Sequence, residues 1–200
     1  MKLLIKIFIF NLILTPSLLL AKDDKTVEGF FKDKWKLTKT SINYLNKGEI
    51  LAESSVTSTD KKQSFGLKAA AVHPKNCTKV LRKLSMLESY DEWISFIKKS
   101  EYSDERGLAT IKADHTLLPY PMIVHIFVKR PTEPGVYPFS FPTGIFKGLT
   151  GTFTIGERQG KCMVFSQSHW SGKKQIPDFV VSIFAETLTK LAGQILFRKI

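Results

Sequence analysis

PDFVVSIFAETLTKLAGQILFRKI, residues 177–200, reads as one long amphipathic helix, and the architecture follows from it. Val180, Ile183, Phe184, Thr187, Leu188, Leu191 and Ile195 recur at helical spacing and form one apolar stripe. Pro177 suits the first helical position and Asp178 the acid-favouring first turn, while Lys190, Arg198 and Lys199 lie toward the far end, where the helix dipole prefers cations. A stripe this long needs a large apolar surface to lie on.

The residues before it supply that surface. Phe96–Ser103, Leu108–Leu118, Met122–Arg130, Gly135–Phe141, Thr150–Glu157 and Lys161–Trp170 read as strands. Turn residues separate them: Glu105-Arg106-Gly107, Pro119-Tyr120-Pro121, Pro131 to Gly135, Thr143-Gly144 and Gly156 to Gly160. Strands joined by such short connections make an antiparallel meander. A curved sheet of this size needs one face covered, and residues 177–200 are the only segment long enough to do it.

Further toward the N-terminus, Glu49–Thr57 and Ser64–Val72 read as strands around an Asp60-Lys61-Lys62 turn. His73-Pro74 breaks the chain before a helix whose apolar face is Val80, Leu81, Leu84 and Leu87. Tyr90, Trp93 and Phe96 follow in a short helical or extended stretch. Thr26–Lys47 has the spacing of one helix lying on something, ended by Gly48. The fold class is α+β.

A length of 200 residues suits one domain, and 43% hydrophobic residues exclude a disordered tail. The first 21 residues, MKLLIKIFIFNLILTPSLLLA, carry Lys2 and Lys6, an apolar run and a terminal Ala21, the pattern of a secretory signal. Removing them takes away two lysines and no acid, so the formal net charge goes from +12 to +10. Residues 22–47 then form a basic N-terminal helical extension with seven lysines around Phe30, Phe31 and Trp35, an arrangement that could meet an anionic membrane surface or stand as a solvated face. The expected location is export, periplasmic or secreted, with a membrane tether if the signal is retained. Export and the lack of any recognition motif argue against nucleic acid.

In an oxidising compartment Cys77 and Cys162 either bridge or stand as two unrelated small buried residues; their spacing fits no zinc motif. A three-residue turn at Pro119–Pro121 would set His115 opposite His125, but no acid or third histidine falls beside them, so no metal is expected. There is no GxSxG, no HExxH and no CxxC, and nothing points to a cofactor or to catalytic residues.

Three segments carry a family resemblance across roughly Phe65 to Ile200. They are Ala70-Ala71-Val72-His73-Pro74 running into Val80-Leu81 and Tyr90-Asp91-Glu92-Trp93; Leu117-Leu118-Pro119-Tyr120-Pro121-Met122; and Gly144 to Phe153. In this order they resemble the START-like (SRPBCC) superfamily, whose bacterial members include polyketide cyclase/dehydrase-like and coenzyme Q-binding-protein-like domains. The resemblance implies a helix-grip fold for residues 48–200, in which a curved antiparallel sheet wraps a long C-terminal helix and two short helices follow the first family strand. It also implies a hydrophobic small molecule or lipid bound between sheet and helix, with Trp93, Leu117, Met122, Phe139, Phe141, Phe146, Phe184 and Leu188 as lining. The run Tyr137 to Pro142 would lie near one end and could gate it. Because the fold pairs the strand before the first helix with the last strand, a Cys77–Cys162 disulfide is implied. Non-catalytic binding or transfer is the expected function; a cyclase- or hydrolase-like enzyme, or an interaction module with a filled core, are the alternatives.

Overall fold

A computed structural model describes residues 26–116, 121–144, 146–174 and 177–200, apart from the side chains of Val180, Ile183 and Phe184. The signal-like residues 1–21 lie outside the described residues, as do Leu117 and the Phe184 side chain.

The strands are β1 (Leu51–Ser58), β2 (Lys62–His73), β3 (Ile97–Ser103), β4 (Leu108–Ala113), β5 (Met122–Val128), β6 (Gly135–Ser140), β7 (Thr150–Arg158) and β8 (Lys161–Lys173). They form one antiparallel sheet in the order β1-β2-β8-β7-β6-β5-β4-β3. The helices are α1 (Val27–Phe31), α2 (Lys39–Asn46), α3 (Cys77–Leu84), α4 (Tyr90–Trp93) and α5 (Asp178–Lys199). This is the α+β helix-grip arrangement, with α3 and α4 following β2.

Period-two alternation divides β2 and β8 between two interiors. Phe65, Leu67, Ala69 and Ala71 of β2 face α5 with Val164, Ser166 and Ser168 of β8. Ala70 and Val72 point the other way with Met163 and Phe165, into a separate cluster closed by Val27, Phe30, Phe31 and Leu45. The N-terminal helices therefore cover the outer face of the sheet.

Several expectations are corrected. The extension is two helices rather than one, because Thr38 caps a second start with its side chain accepting from the Ser41 N–H at 3.1 Å. Its two phenylalanines pack on the sheet, Phe30 and Phe31 being 6% and 1% exposed, and Trp35 donates its indole N–H to Glu53 at 3.0 Å. β4 ends at Ala113 instead of running to Leu118, and Pro177 stands before the first helical residue in an extended conformation. The register sets Thr110, not His115, opposite His125. His115 instead stands edge-on to Phe96, with ring centroids 5.5 Å apart.

Cys77, the first residue of α3, is bridged to Cys162 at the start of β8, with Cα atoms 4.6 Å apart. His73 of β2 lies opposite Cys162, so antiparallel pairing delivers the two cysteines to one place. The Glu157 carboxylate accepts the Cys77 N–H at 2.7 Å.

Two stability measurements follow. The bridge closes a sequence separation of 85 residues. Chain-entropy reasoning assigns a loop of that length about 4–5 kcal/mol, so Cys77→Ser with Cys162→Ser should lower the urea midpoint by several kcal/mol equivalent. Phe31→Ala should cost about 3–4 kcal/mol as a core truncation, whereas a loosely attached extension would cost almost nothing in the same urea titration.

Candidate functional site

α5 is fastened along one side by polar contacts to β1 and the start of β2. Glu186 accepts the Ser54 N–H and hydroxyl, both at 2.8 Å, and the Ser54 and Ser182 hydroxyls meet. Asp178 accepts from Ser58 at 2.5 Å and from Gln63 Nε2 at 2.7 Å. Those two hydrogen bonds, helped by Lys174, hold the Asp178 carboxyl below its ordinary range. Close packing continues at Gly193, where an added methyl would lie 3.1 Å from Ile50.

The other side of α5 does not settle onto the sheet. A cavity of about 550 Å³ lies between them. Five of the eight expected lining residues border it: Met122, Phe139, Phe141, Phe146 and Leu188. Trp93 is not among the described lining residues; it lies beside Tyr90, under the Lys83 ammonium 4.3 Å from its ring centroid. Leu117 and the Phe184 side chain fall outside the described residues.

The residues that create the volume are small ones. Ala69, Ala71, Ala109, Ala113 and Ala185 all face the cavity, where larger side chains would fill it. A search for aromatic clusters passes over them, since alanine carries no periodic hydrophobic signal of its own. Ala69 and Ala71, alternate residues on the inner face of β2, are one sequence trace of the hollow.

Among the described lining residues there is no acidic, basic or imidazole side chain. Two tyrosine hydroxyls of the lining are already used: Tyr90 donates to the Leu84 carbonyl at 2.8 Å and Tyr137 to the Glu133 carbonyl at 2.6 Å. Burial pushes the Tyr90 phenol well above its ordinary range. That end is braced by Arg130, which forks onto Asp104 at 2.9 and 3.0 Å, reaches Glu88 at 2.9 Å and donates to the Ser85 carbonyl. No group of three His, Cys, Asp or Glu side chains able to hold a metal occurs among the described residues. His169 is on the outer face, bordering an open groove with Trp35, Glu53 and Lys68.

The sheet parts on one side of the cavity. β5 and β6 are paired only at Phe127↔Ser140 and Val128↔Phe139. Beyond Ser140 the chain folds back on itself, Phe141 N–H donating to Leu149 and Gly148 N–H to Phe141, both at 2.9 Å. Across the parting, Thr143 Oγ1 and His125 Nδ1 are 2.9 Å apart. Of the run expected to gate the cavity, Tyr137 and Phe139 are buried strand residues, and only Phe141 and Pro142 lie in this connection.

His73 anchors the far end of α5. It is 5% exposed, its Nε2 lies 3.3 Å from the Phe197 carbonyl, and its Nδ1 accepts the Lys75 N–H at 3.1 Å. Lys75 Nζ reaches the Ile200 carbonyl at 2.5 Å. Burial lowers the His73 pKa below 6.5; the Phe197 hydrogen bond opposes this and Lys75 adds to it.

The unfolded chain therefore takes up this proton before the folded one, and stability falls as pH drops below about 6.5. Asp178, held low, titrates beneath that window. The urea midpoint should decline between pH 7.5 and 5.5, and His73→Gln should flatten that decline. An unchanged slope in the variant would assign the effect elsewhere.

No protein-family model matches the sequence, and no curated protein matches it significantly. Solved structures do. A START superfamily protein from Mycobacterium smegmatis aligns at TM-score 0.54 and 13% identity, covering 67% of this chain and 95% of its own. The Zhui aromatase/cyclase from Streptomyces sp. R1128 aligns at TM-score 0.58 and 8% identity, covering 68% and 93%. Ara h 8.0201 aligns at TM-score 0.54 and 10% identity, covering 68% and 97%. The chain thus has the START-like helix-grip fold.

Proposed function

We propose that this protein is an exported START-like domain that takes up one hydrophobic molecule of lipid size beneath α5, for binding or transfer, without altering it. The carrying observation is the cavity of about 550 Å³ with no acidic, basic or imidazole side chain among its described lining residues. Apolar concave volume of that size is what a greasy small molecule needs. The fold itself is shared with an aromatase/cyclase as well as a START superfamily protein, so it does not choose between chemistry and storage. The lining favours storage, because its hydroxyls have no described base beside them to activate a nucleophile.

Leu117 and Phe184 complete the proposed ligand-contacting set with Met122, Phe139, Phe141, Phe146 and Leu188. The parting between β5 and the connection after β6 is the proposed mouth, widened when the Thr143–His125 contact opens. Export is supported by the character of residues 1–21 and by a disulfide suited to an oxidising compartment. No helix among the described residues is long and apolar enough to cross a membrane.

The test is displacement of a neutral apolar fluorophore, N-phenyl-1-naphthylamine, with native mass spectrometry of the purified protein for retained ligand. One site should saturate, and Ala69→Phe, which grows a ring into the cavity, should weaken binding at least about tenfold without lowering thermal stability. Absence of saturable binding, or full binding by Ala69→Phe, would overturn the reading.

A further inference from the structure

The cavity lining carries one chemical irregularity. Along the inner face of β8 the residues run Val164, Ser166, Ser168, Trp170. Strand positions facing an apolar interior favour β-branched or aromatic side chains, and two successive serines there forfeit apolar contact. Room alone does not require them, since Ala69 and Ala71 on the neighbouring strand provide room without a polar atom. Across the cavity, α5 presents Thr189 among Ala185, Leu188 and Leu196.

These hydroxyls sit at the middle of the cavity, not at its ends. Val181 packs with Trp170 near one end of α5, and Leu196 packs with Val164 near the other. Thr189 lies midway between Val181 and Leu196, as Ser166 and Ser168 lie between Val164 and Trp170. The lining stretch of α5 from Val181 to Phe197 spans about 24 Å, so hydrocarbon surface extends on both sides of the hydroxyl band.

The band is also unspent. The Tyr90 and Tyr137 hydroxyls each donate to a backbone carbonyl, whereas Ser166, Ser168 and Thr189 make no side-chain hydrogen bond among the described residues. A hydroxyl left without a partner when an apolar ligand fills the space around it is costly. A ligand that brings its own oxygen to that level removes the cost. An anionic group at the same level would meet no counter-charge among the described lining residues and would be rejected.

We infer that Ser166, Ser168 and Thr189 select a neutral ligand whose oxygen function, a ketone, ester or hydroxyl, lies in mid-molecule between two hydrocarbon arms. This rests on the proposed hydrophobic-ligand function and narrows it to a class. The three residues determine specificity; bulk affinity comes from the surrounding apolar wall.

Two isomeric ketones test the inference with little difference in their cost of leaving water. Heptadecan-9-one carries its oxygen at the centre and heptadecan-2-one at the end. Each is titrated against bound N-phenyl-1-naphthylamine on the full chain. The unaltered protein should prefer the central ketone by about five- to tenfold, the range of one or two neutral hydrogen bonds. The triple variant Ser166→Ala, Ser168→Ala and Thr189→Val nearly keeps size and should bind both isomers equally, with its affinity for the end ketone raised because no hydroxyl is left unpaired against hydrocarbon. Saturable binding of the end ketone also shows that the variant has folded. Equal binding of the isomers by the unaltered protein, or a preference that survives in the variant, overturns the inference while leaving the hydrophobic-ligand reading intact. Failure of both ketones to displace the fluorophore overturns that reading itself.

Discussion

The antiparallel ladder between β2 and β8 is the constraint on which the other parts depend. It runs unbroken from Lys62↔Lys173 to His73↔Cys162. Each alternate pair of residues is committed to one of two interiors, so a slip of one residue would exchange their contents. In this register Ala70, Val72, Met163 and Phe165 meet the N-terminal helices, while Phe65, Leu67, Val164 and Trp170 meet the side under α5. The same register ends with Cys162 beside the start of α3, where the disulfide ties the ladder's end to a helix. The site and its covalent brace thus share one cause.

What α5 does follows from how its two flanks differ. One flank is joined to β1 by hydrogen bonds at Asp178, Ser182 and Glu186, contacts that are directional and fix the helix position. The other flank faces alanines and does not close on them. A helix held only by apolar contact would sink toward the sheet until the space was gone, because burial is favourable and has no preferred direction. Polar anchoring on one edge is what allows the helix to stand off. β1, the strand that supplies Ser54 and Ser58, lies ahead of the Phe65 start of the family-like segment, so this chain's N-terminal addition takes part in shaping the cavity.

The order of elements was legible because periodicity and turn residues are local properties. Residues 177–200, the meander and the short helices after β2 all appear where their patterns place them. The cysteine pairing was legible only through the resemblance, because pairing is a property of topology and two cysteines separated by 85 residues carry no local mark. Five lining residues were legible for the same reason, Met122 and Phe139 on strands, Phe141 and Phe146 in the connection after β6 and Leu188 on α5, as large residues that the resemblance sets between sheet and helix. The hollow was legible only through the same resemblance, since it arises from alanines facing each other across elements distant in sequence. Trp93 lies beside Tyr90 and under Lys83, since a large aromatic can be turned onto its neighbours. The helix break before Thr38 and the early end of β4 depend on capping and register, which residue spacing records poorly.

A protein with a cavity of this size gives up packing that an ordinary core would use, and each unfilled volume element lowers stability. The deficit is offset on the opposite face of the same sheet. There Phe31, Leu45, Met163 and Phe165 are almost completely buried, and Gly156 is bare because an added methyl would lie 2.6 Å from Phe30. Dense packing outside and open space inside meet across a single layer of backbone. The N-terminal helices, whose lysines and aromatics left a membrane-facing and a solvated face both open, are therefore the counterpart of the cavity. Stability concentrated on the outer face, with the disulfide at one end, leaves the inner face free to be hollow and its central hydroxyls free to wait for a ligand.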